Sequence, residues 1–310
     1  MTALVRIGTR GSPLALAQAH ELRDRLAAAH PELAAPDAVA IVVIRTTGDR
    51  IQDRTLAEAG GKGLFTKEIE EALVAGTVDV AVHSMKDVPT LQPDGLELAC
   101  FLPREDPRDC LFARSGTSLD DLPEGAVVGT AGLRRQAQVL LRRPDLKVVP
   151  IRGNVQTRMA KMAAGEVDAT LLALAGLRRL GLEKEATAIL EPDVMLPAVA
   201  QGCIGLEIRT DDDRMRGILA PLDCAESRMR VTAERALLEV LDGSCRTPIA
   251  ALATLDGTGG LRLDGLVADP AGHSAARTRR EGAAVDAVAI GRDAGAELKA
   301  HLPAGYPVAG

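Results

Sequence analysis

Short apolar runs rich in β-branched residues alternate along this chain with segments of helical period, and this alternation limits the folds open to it. Runs at 41–44, 78–82, 127–128 and 147–151 have strand length and composition. Among them, Ala15, Ala19, Leu22 and Leu26 recur at the spacing of one helix face. So do Phe65, Ile69 and Leu73, then Leu133, Ala137 and Leu140, then Val155, Met159 and Met162. The pattern is that of an α/β protein and implies parallel strands. At 310 residues the chain exceeds the ~250 residues at which single cores stop growing, so two or three domains are expected.

Proline and charge gather at 102–108 and again at 191–197, and these crossover points bracket a middle α/β unit. The apolar run 203–208 is too short to found a domain and is expected to return to the first sheet. Domain 1 is therefore expected over 1–102 plus 199–220, and domain 2 over 103–198. A smaller α+β domain is expected over 221–310. There a helix through Met229, Ala233, Leu237 and Val240 leads to strands near 249–255 and 261–267 and a last helix near 287–298. The glycine- and charge-rich stretch 48–63 reads either as a lid or as a plain surface loop.

Composition excludes several function classes. Apolar residues make up 46% and charged residues 26%, as in a globular chain that folds and stays in water. A net charge of −6 and only 1% aromatics leave neither the overall positive field nor the stacking platforms that nucleic-acid binders use. The first residues carry no apolar run with a cleavage site, and nothing approaches the ~20 apolar residues of a membrane span, so a cytoplasmic protein with no membrane partner is expected. Five widely spaced cysteines suggest reduced thiols, and five histidines without ligand spacing suggest no metal site. With no heptad or apolar surface stripe, a monomer is the default.

One pattern points to a ligand. A helix amino terminus offers free N–H groups and partial positive charge, so acidic side chains are favoured there. Here basic ones recur instead. Arg10 precedes Ser12 and Pro13, Lys62 and Lys67 flank the start of the Phe65 helix, and Arg134 and Arg135 open the Leu133 helix. Arg152 precedes Gly153 and Asn154, with Arg158 a turn later. Any one of these is an ordinary solvated cation; together, at the strand-to-helix junctions where α/β sheets bind ligands, they predict a polyanionic ligand. No phosphate-binding loop or dinucleotide fingerprint is present, which favours carboxylates over phosphates.

His83-Ser84-Met85-Lys86-Asp87-Val88-Pro89 follows the strongly apolar strand 78–82, which places polar groups at its carboxyl end. Asp87 beside Lys86 reads either as an exposed ion pair of little worth or as a carboxylate placed to stabilise a cation or move a proton. Cys245 follows Asp242-Gly243-Ser244 in a turn after a helix, and its thiol reads either as accessible or as inert; Cys203 lies in an apolar strand.

These residues occur in ordered blocks. They are Ile7-Gly8-Thr9-Arg10 with Ser12-Pro13-Leu14-Ala15, Gly60-Gly61-Lys62-Gly63-Leu64-Phe65, Val82 to Pro89, and Arg104-Glu105-Asp106-Pro107-Arg108-Asp109. Further along come Leu133-Arg134-Arg135-Gln136, Arg152-Gly153-Asn154, Leu196-Pro197-Ala198-Val199-Ala200-Gln201-Gly202, Arg230 to Arg235, and Ser244-Cys245. The chain thereby resembles the porphobilinogen deaminases nearly end to end. The resemblance implies two periplasmic-binding-protein-like (type II) α/β domains with a third, smaller α+β domain. It also implies a transferase that condenses four porphobilinogen molecules head to tail with loss of ammonia and releases hydroxymethylbilane.

It further implies a dipyrromethane primer joined through a thioether to Cys245, formed when the thiolate attacks an electrophilic pyrrole methylene. Asp87 would stabilise the cation left when ammonia departs, and is also the candidate proton donor to the leaving amine. Arg10, Lys86, Arg134, Arg135, Arg152, Arg158 and Arg179 match the family's cations for acetate and propionate arms. Ser84, Thr130 and Gly153 join the expected cofactor contacts, and Ser12, Lys62, Phe65 and Gln201 the expected substrate contacts. One departure is visible: Ala131 and Gly132 stand where the family often has two serines. A noncatalytic anion-binding module is the rival from another class, and would need neither Asp87 nor Cys245. A phosphoryl-transfer enzyme would need an acidic metal pair and a nucleotide site, for which no signature is found.

Overall fold

The computed structural model describes residues 4–50, 63–241 and 247–302; for Asp49 and Arg50 it describes the backbone alone. Contacts divide the chain into two compact units, one formed by Met1–Ile51, Gly61–Glu105 and Cys203–Arg228, the other by Gln52–Gly60, Asp106–Gly202 and Met229–Gly310.

The first unit holds β1 (Val5–Thr9), α1 (Pro13–Ala29), β2 (Val39–Val43), the single turn α2 (Thr47–Arg50), α3 (Lys67–Val74), β3 (Val80–Ser84) and β4 (Leu96–Phe101). Its third segment adds β10 (Ile204–Arg209) and α7 (Asp213–Leu219). The sheet order is β2-β1-β3-β10-β4. Successive side chains of a strand face opposite ways, and β3 uses both faces. Val80 and Val82 pack with Ala19, Leu22 and Leu26 of α1, while Ala81 packs with Ile69 and Leu73 of α3. Burial on both faces explains why Val80, Ala81 and Val82 are apolar in succession and do not alternate with polar residues.

The second unit repeats the plan with β5 (Asp109–Ala113), β6 (Val127–Gly129), α4 (Leu133–Arg142), β7 (Lys147–Val149), α5 (Val155–Ala163), β8 (Ala169–Ala173), α6 (Leu174–Arg179) and β9 (Ala188–Leu190), in sheet order β7-β6-β8-β5-β9. On β5, Leu111 enters the cluster with Val128, Val139 and Leu171, and Cys110 and Phe112 enter that with Leu172 and Leu177. The same unit contains α8 (Ala225–Val240) in large part, the antiparallel meander β11 (Ile249–Leu255), β12 (Gly260–Ala268) and β13 (Ala275–Ala283), and α9 (Ala287–Ala300). Ala250, Leu252 and Leu266 on one face of the meander pack with Ala137 of α4 and Leu196. Gly291 and Gly295, one turn apart on α9, lie so close to α8 that an added Cβ would strike the Ala233 carbonyl and the Leu237 backbone.

The α/β class is as read from the sequence, with a smaller α+β element at the C-terminal end, and the run 203–208 does return to the first sheet as β10. The expectation of parallel strands needs correction. β10 runs antiparallel to β3 and β4, and β5 antiparallel to β8 and β9, so each sheet is mixed. Apolar content signals a buried strand and carries no information about its direction.

Candidate active site

In the first unit the chemistry-bearing residues gather where β1 and β3 end. The antiparallel pairing of β3 with β10 extends one residue past Ser84, since Met85 N donates to Cys203 O at 3.0 Å. The chain then makes a 3-10 turn, Met85–Asp87, closed by Val88 N donating to Met85 O at 3.2 Å. Met85 is buried while Lys86 and Asp87 stay half-exposed, so the turn presents its charged members and anchors itself by its apolar one. The Asp87 carboxylate lies 4.0 Å from Arg10 Nη1, and the Arg10 guanidinium sits 4.2 Å from the centroid of the Phe65 ring. A guanidinium over an aromatic face is held without its N–H donors being consumed by the ring.

Ser12 is the N-cap of α1 and accepts from Ala15 N at 3.2 Å, so its hydroxyl serves the helix, whose first turn has no acidic residue. Ser84 Oγ is gripped by one buried amide. Gln18 Nε2 donates to it at 2.8 Å and Gln18 Oε1 accepts from it at 3.2 Å. Gln18 escaped the sequence reading, although a polar residue on the same helix face as Ala15, Ala19 and Leu22 is the signal that finds it. One residue before Ser84, the buried His83 Nε2 meets the fully buried Glu207 Oε2 at 3.0 Å and ties β3 to β10 behind the turn.

In the second unit the strongest feature is an arginine pair whose carboxylate partner the sequence does not reveal. Arg134 and Arg135 do not line a solvated helix end: both are buried, and the most buried face of α4 is Arg134, Arg135, Ala137, Gln138 and Val139, not the stripe Leu133–Ala137–Leu140. Beneath them lies Asp109, the fully buried first residue of β5. Arg134 Nη2 donates to Asp109 Oδ2 at 2.7 Å and Arg135 Nη2 to Oδ1 at 2.8 Å. Gln201 Nε2 adds a donor to Oδ1 at 2.9 Å, and Arg134 and Arg135 also donate to the carbonyls of Leu196 and Leu171. Burial alone would raise the Asp109 pKa; the two guanidiniums outweigh it and hold the carboxyl far below the usual carboxylate range. Burial lowers the pKa of Arg134 from its ordinary high value, only partly offset by Asp109.

Two guanidiniums against one carboxylate leave this cluster one positive charge in surplus. It stands at the start of α4, where Gly132 is an N-cap without a side-chain bond and no acidic residue occupies the first turn. Thr130 Oγ accepts from Gly132 N at 3.2 Å. The other junction cations are arranged differently. Asn154 caps α5 by accepting from Thr157 N at 2.8 Å, and Gly153, at φ +118, is required both by its backbone and by the Thr157 side chain against it. Arg158 Nε donates back to Gly153 O at 3.0 Å, which fixes the loop that Arg152 begins, and Arg179 Nη2 donates to Gly202 O at 3.1 Å. Arg10, Phe65 and Asp87 thus form one group, Arg134, Arg135 and Gln201 another, and Gly153 and Arg158 a third. Lys62 and Cys245 lie outside the described residues.

Comparison with known proteins gives the family of the chain. Residues 5–217 match the family profile described as porphobilinogen deaminase, dipyromethane cofactor binding domain, and residues 228–300 match that of the porphobilinogen deaminase C-terminal domain. The chain belongs to the porphobilinogen deaminase family. It is 59% identical over 298 residues to the porphobilinogen deaminase of Nitrobacter winogradskyi, covering 96% of this chain and 93% of that one. With that of Paracoccus denitrificans it shares 57% over 302 residues, covering 97% and 96%. With the chloroplastic porphobilinogen deaminase of Oryza sativa subsp. japonica it shares 56% over 307 residues, covering 98% and 86%.

The residues present fit the dipyrromethane group of a porphobilinogen deaminase. Each pyrrole ring of that group carries two carboxylates, and the second unit offers a surplus buried cation at an uncapped helix start. Arg135 Nε, moreover, is a buried donor without an acceptor among the described residues. A carboxylate at the α4 start would meet all three needs.

Proposed function

We propose that this chain is a transferase that links four porphobilinogen molecules head to tail on a dipyrromethane primer carried by Cys245, with Asp87 at the point of reaction. The observation that carries the reading is the Asp87–Arg10–Phe65 group at the end of β3 in a chain of this family.

When bound, the primer supplies a nucleophilic pyrrole carbon to which the next ring is joined. The rest falls to the chain's own side chains. Loading begins with a sulfur–carbon bond from the Cys245 thiolate to the aminomethyl carbon of porphobilinogen; the carbon–nitrogen bond breaks and ammonia leaves with its electron pair. Cys100 and Cys110 are unsuited to that attack, since burial pushes both thiols up to about 12, so that thiolate is scarce at neutral pH. Cys203 is buried.

Asp87 stabilises the positive charge that spreads over the substrate pyrrole as ammonia departs, and Arg10 at 4.0 Å keeps that carboxylate near a cation without closing a short bond onto it. The Met85 anchor and the Val88 to Met85 bond fix the turn, so the charge stands in place before reaction. Arg134, Arg135 and Thr130 hold primer carboxylates at the α4 start, while Arg152, Arg158 and Arg179 supply further cations for acetate and propionate arms. Ser12 and Ser84 act through α1 and Gln18, and Lys86, Gly153, Gln201, Lys62 and Phe65 complete the assignment. We further read the chain as a monomer and as cytoplasmic, the second reading supported by the free thiols at Cys100, Cys110, Cys203 and Cys224.

Intact mass tests the proposal. The chain purified from a host that makes porphobilinogen should carry an adduct of two deaminated porphobilinogen units, absent from Cys245→Ser. An unmodified wild-type chain would instead favour a noncatalytic anion-binding module.

A further inference from the structure

Glu234, on α8, is fully buried and lies outside every role assigned above. Two backbone N–H groups meet its carboxylate: Oε2 accepts from Ala200 N at 2.6 Å and Oε1 from Ala253 N at 2.7 Å. A buried carboxylate is retained at high desolvation cost only where such bonds repay it. Ala200 itself is at φ +58, the one non-glycine residue with positive φ among the described residues, in a region that a Cβ disfavours. A strained backbone held by a buried charge is a geometry that the surroundings impose.

The strain has a visible product. Ala200 turns the chain so that the next residue, Gln201, sends its amide to Pro107 O at 2.7 Å and to Asp109 Oδ1 at 2.9 Å. Asp109 is the carboxylate that clamps Arg134 and Arg135. Four residues earlier in the same segment, Leu196 is held by α4, its N–H donating to Gln138 Oε1 at 2.8 Å and its carbonyl accepting from Arg134 Nη1 at 2.7 Å. Between these two attachments Ala251 N of β11 donates to Pro197 O at 3.2 Å. The stretch 196–201 is therefore a strap. It is fastened at both ends to the arginine cluster and in the middle to α8 and β11, the elements that flank Cys245 in sequence.

We propose that Glu234 is a positioning residue for primer loading: by holding Ala200 in its left-handed turn it fixes the helix that leads to Cys245 relative to the Arg134–Arg135–Asp109 cluster that receives primer carboxylates. The inference rests on the proposed function and adds a residue that makes no contact with the reacting atoms.

The test follows the rate at which full-length apoprotein, made in a host unable to synthesise porphobilinogen, gains mass when mixed with porphobilinogen. Glu234→Gln keeps the shape but turns an amide donor toward a backbone donor, so loading should slow between about tenfold and a hundredfold. Adding Ala200→Gly should recover about tenfold of that loss, because glycine adopts the left-handed turn without the Cβ penalty that Glu234 offsets. Both variants are compared at a temperature where circular dichroism shows them folded, so that a gain in overall stability alone does not account for the rescue. Gln201→Leu cuts the strap at its far end, and in combination with Glu234→Gln it should slow loading no more than either change alone. If Glu234→Gln fails to fold, Gln201→Leu and Ala200→Val still decide the matter, each being expected to slow loading at a temperature where circular dichroism shows the variant folded. Loading at the wild-type rate in the folded variants, or additive slowing in the double variant, overturns the inference while leaving the proposed function intact. A wild-type chain that gains no mass overturns the proposed function, and this inference with it.

Discussion

Replacing Asp109 by Asn removes one charge and almost no volume, and the structure fixes what that costs. Asp109 is fully buried and receives Arg134 Nη2 at 2.7 Å, Arg135 Nη2 at 2.8 Å and Gln201 Nε2 at 2.9 Å. At an effective dielectric near 20, each charge pair about 4 Å apart is worth ~4 kcal/mol before desolvation. Taking the partner from a buried pair costs about 3–5 kcal/mol, because the remaining charges stay buried without it. Here two guanidiniums are left facing each other. Asp109→Asn should therefore lose about 3–5 kcal/mol at pH 7, which lowers the Tm of this unit by about 10 °C.

The pH dependence follows from the direction of the Asp109 shift. Its folded pKa lies below its unfolded one, so its contribution is complete above about pH 4 and is lost as pH falls toward the folded value. Urea unfolding of wild type and variant should thus show the full gap at pH 7 and a narrowing gap below about pH 4. A gap under about 1 kcal/mol at pH 7, or one that widens on acidification, would refute the claim that this carboxylate holds the arginine pair.

Three other substitutions probe the site. Asp87→Asn should still acquire the primer by intact mass while kcat falls by at least about a hundredfold, and near-normal turnover would remove Asp87 from the mechanism. Gly205→Ala drives a Cβ into the Met85 side chain that anchors the turn carrying Asp87; it should cost about 1–3 kcal/mol and lower kcat, and an unchanged Tm with unchanged kcat would show that the turn does not depend on that anchor. Restoring the family's serines at Ala131 and Gly132 should alter KM by less than about tenfold, because the α4 start already offers backbone donors and Gly132 has room for a side chain; a rise in turnover by orders of magnitude would contradict this.

Many of the elements are legible in the sequence, because periodicity is a local property. The run at 78–82 and the spacing of Ala19, Leu22 and Leu26 state which faces are buried, and β3 and α1 obey them. Ser12 and Asn154 act as caps where the turn chemistry puts them. Strands β1, β4, β5, β8, β9 and β13 are not among the runs read as strands; for β13 the reason is that an edge strand with few buried residues has no apolar alternation to betray it. The family blocks are equally plain, and they supply the candidate site residues without any geometry.

What those residues touch is set by the packed fold. Arg134 and Arg135 read as helix-end cations open to a ligand, yet they turn inward to a carboxylate 25 and 26 residues earlier in the chain. Gln18 finds Ser84 across 66 residues, and Glu234 finds Ala200 across 34. Backbone preference and burial are set within a turn or two of each residue, whereas the partner of a buried charge is set by whichever strand the sheet brings beneath it.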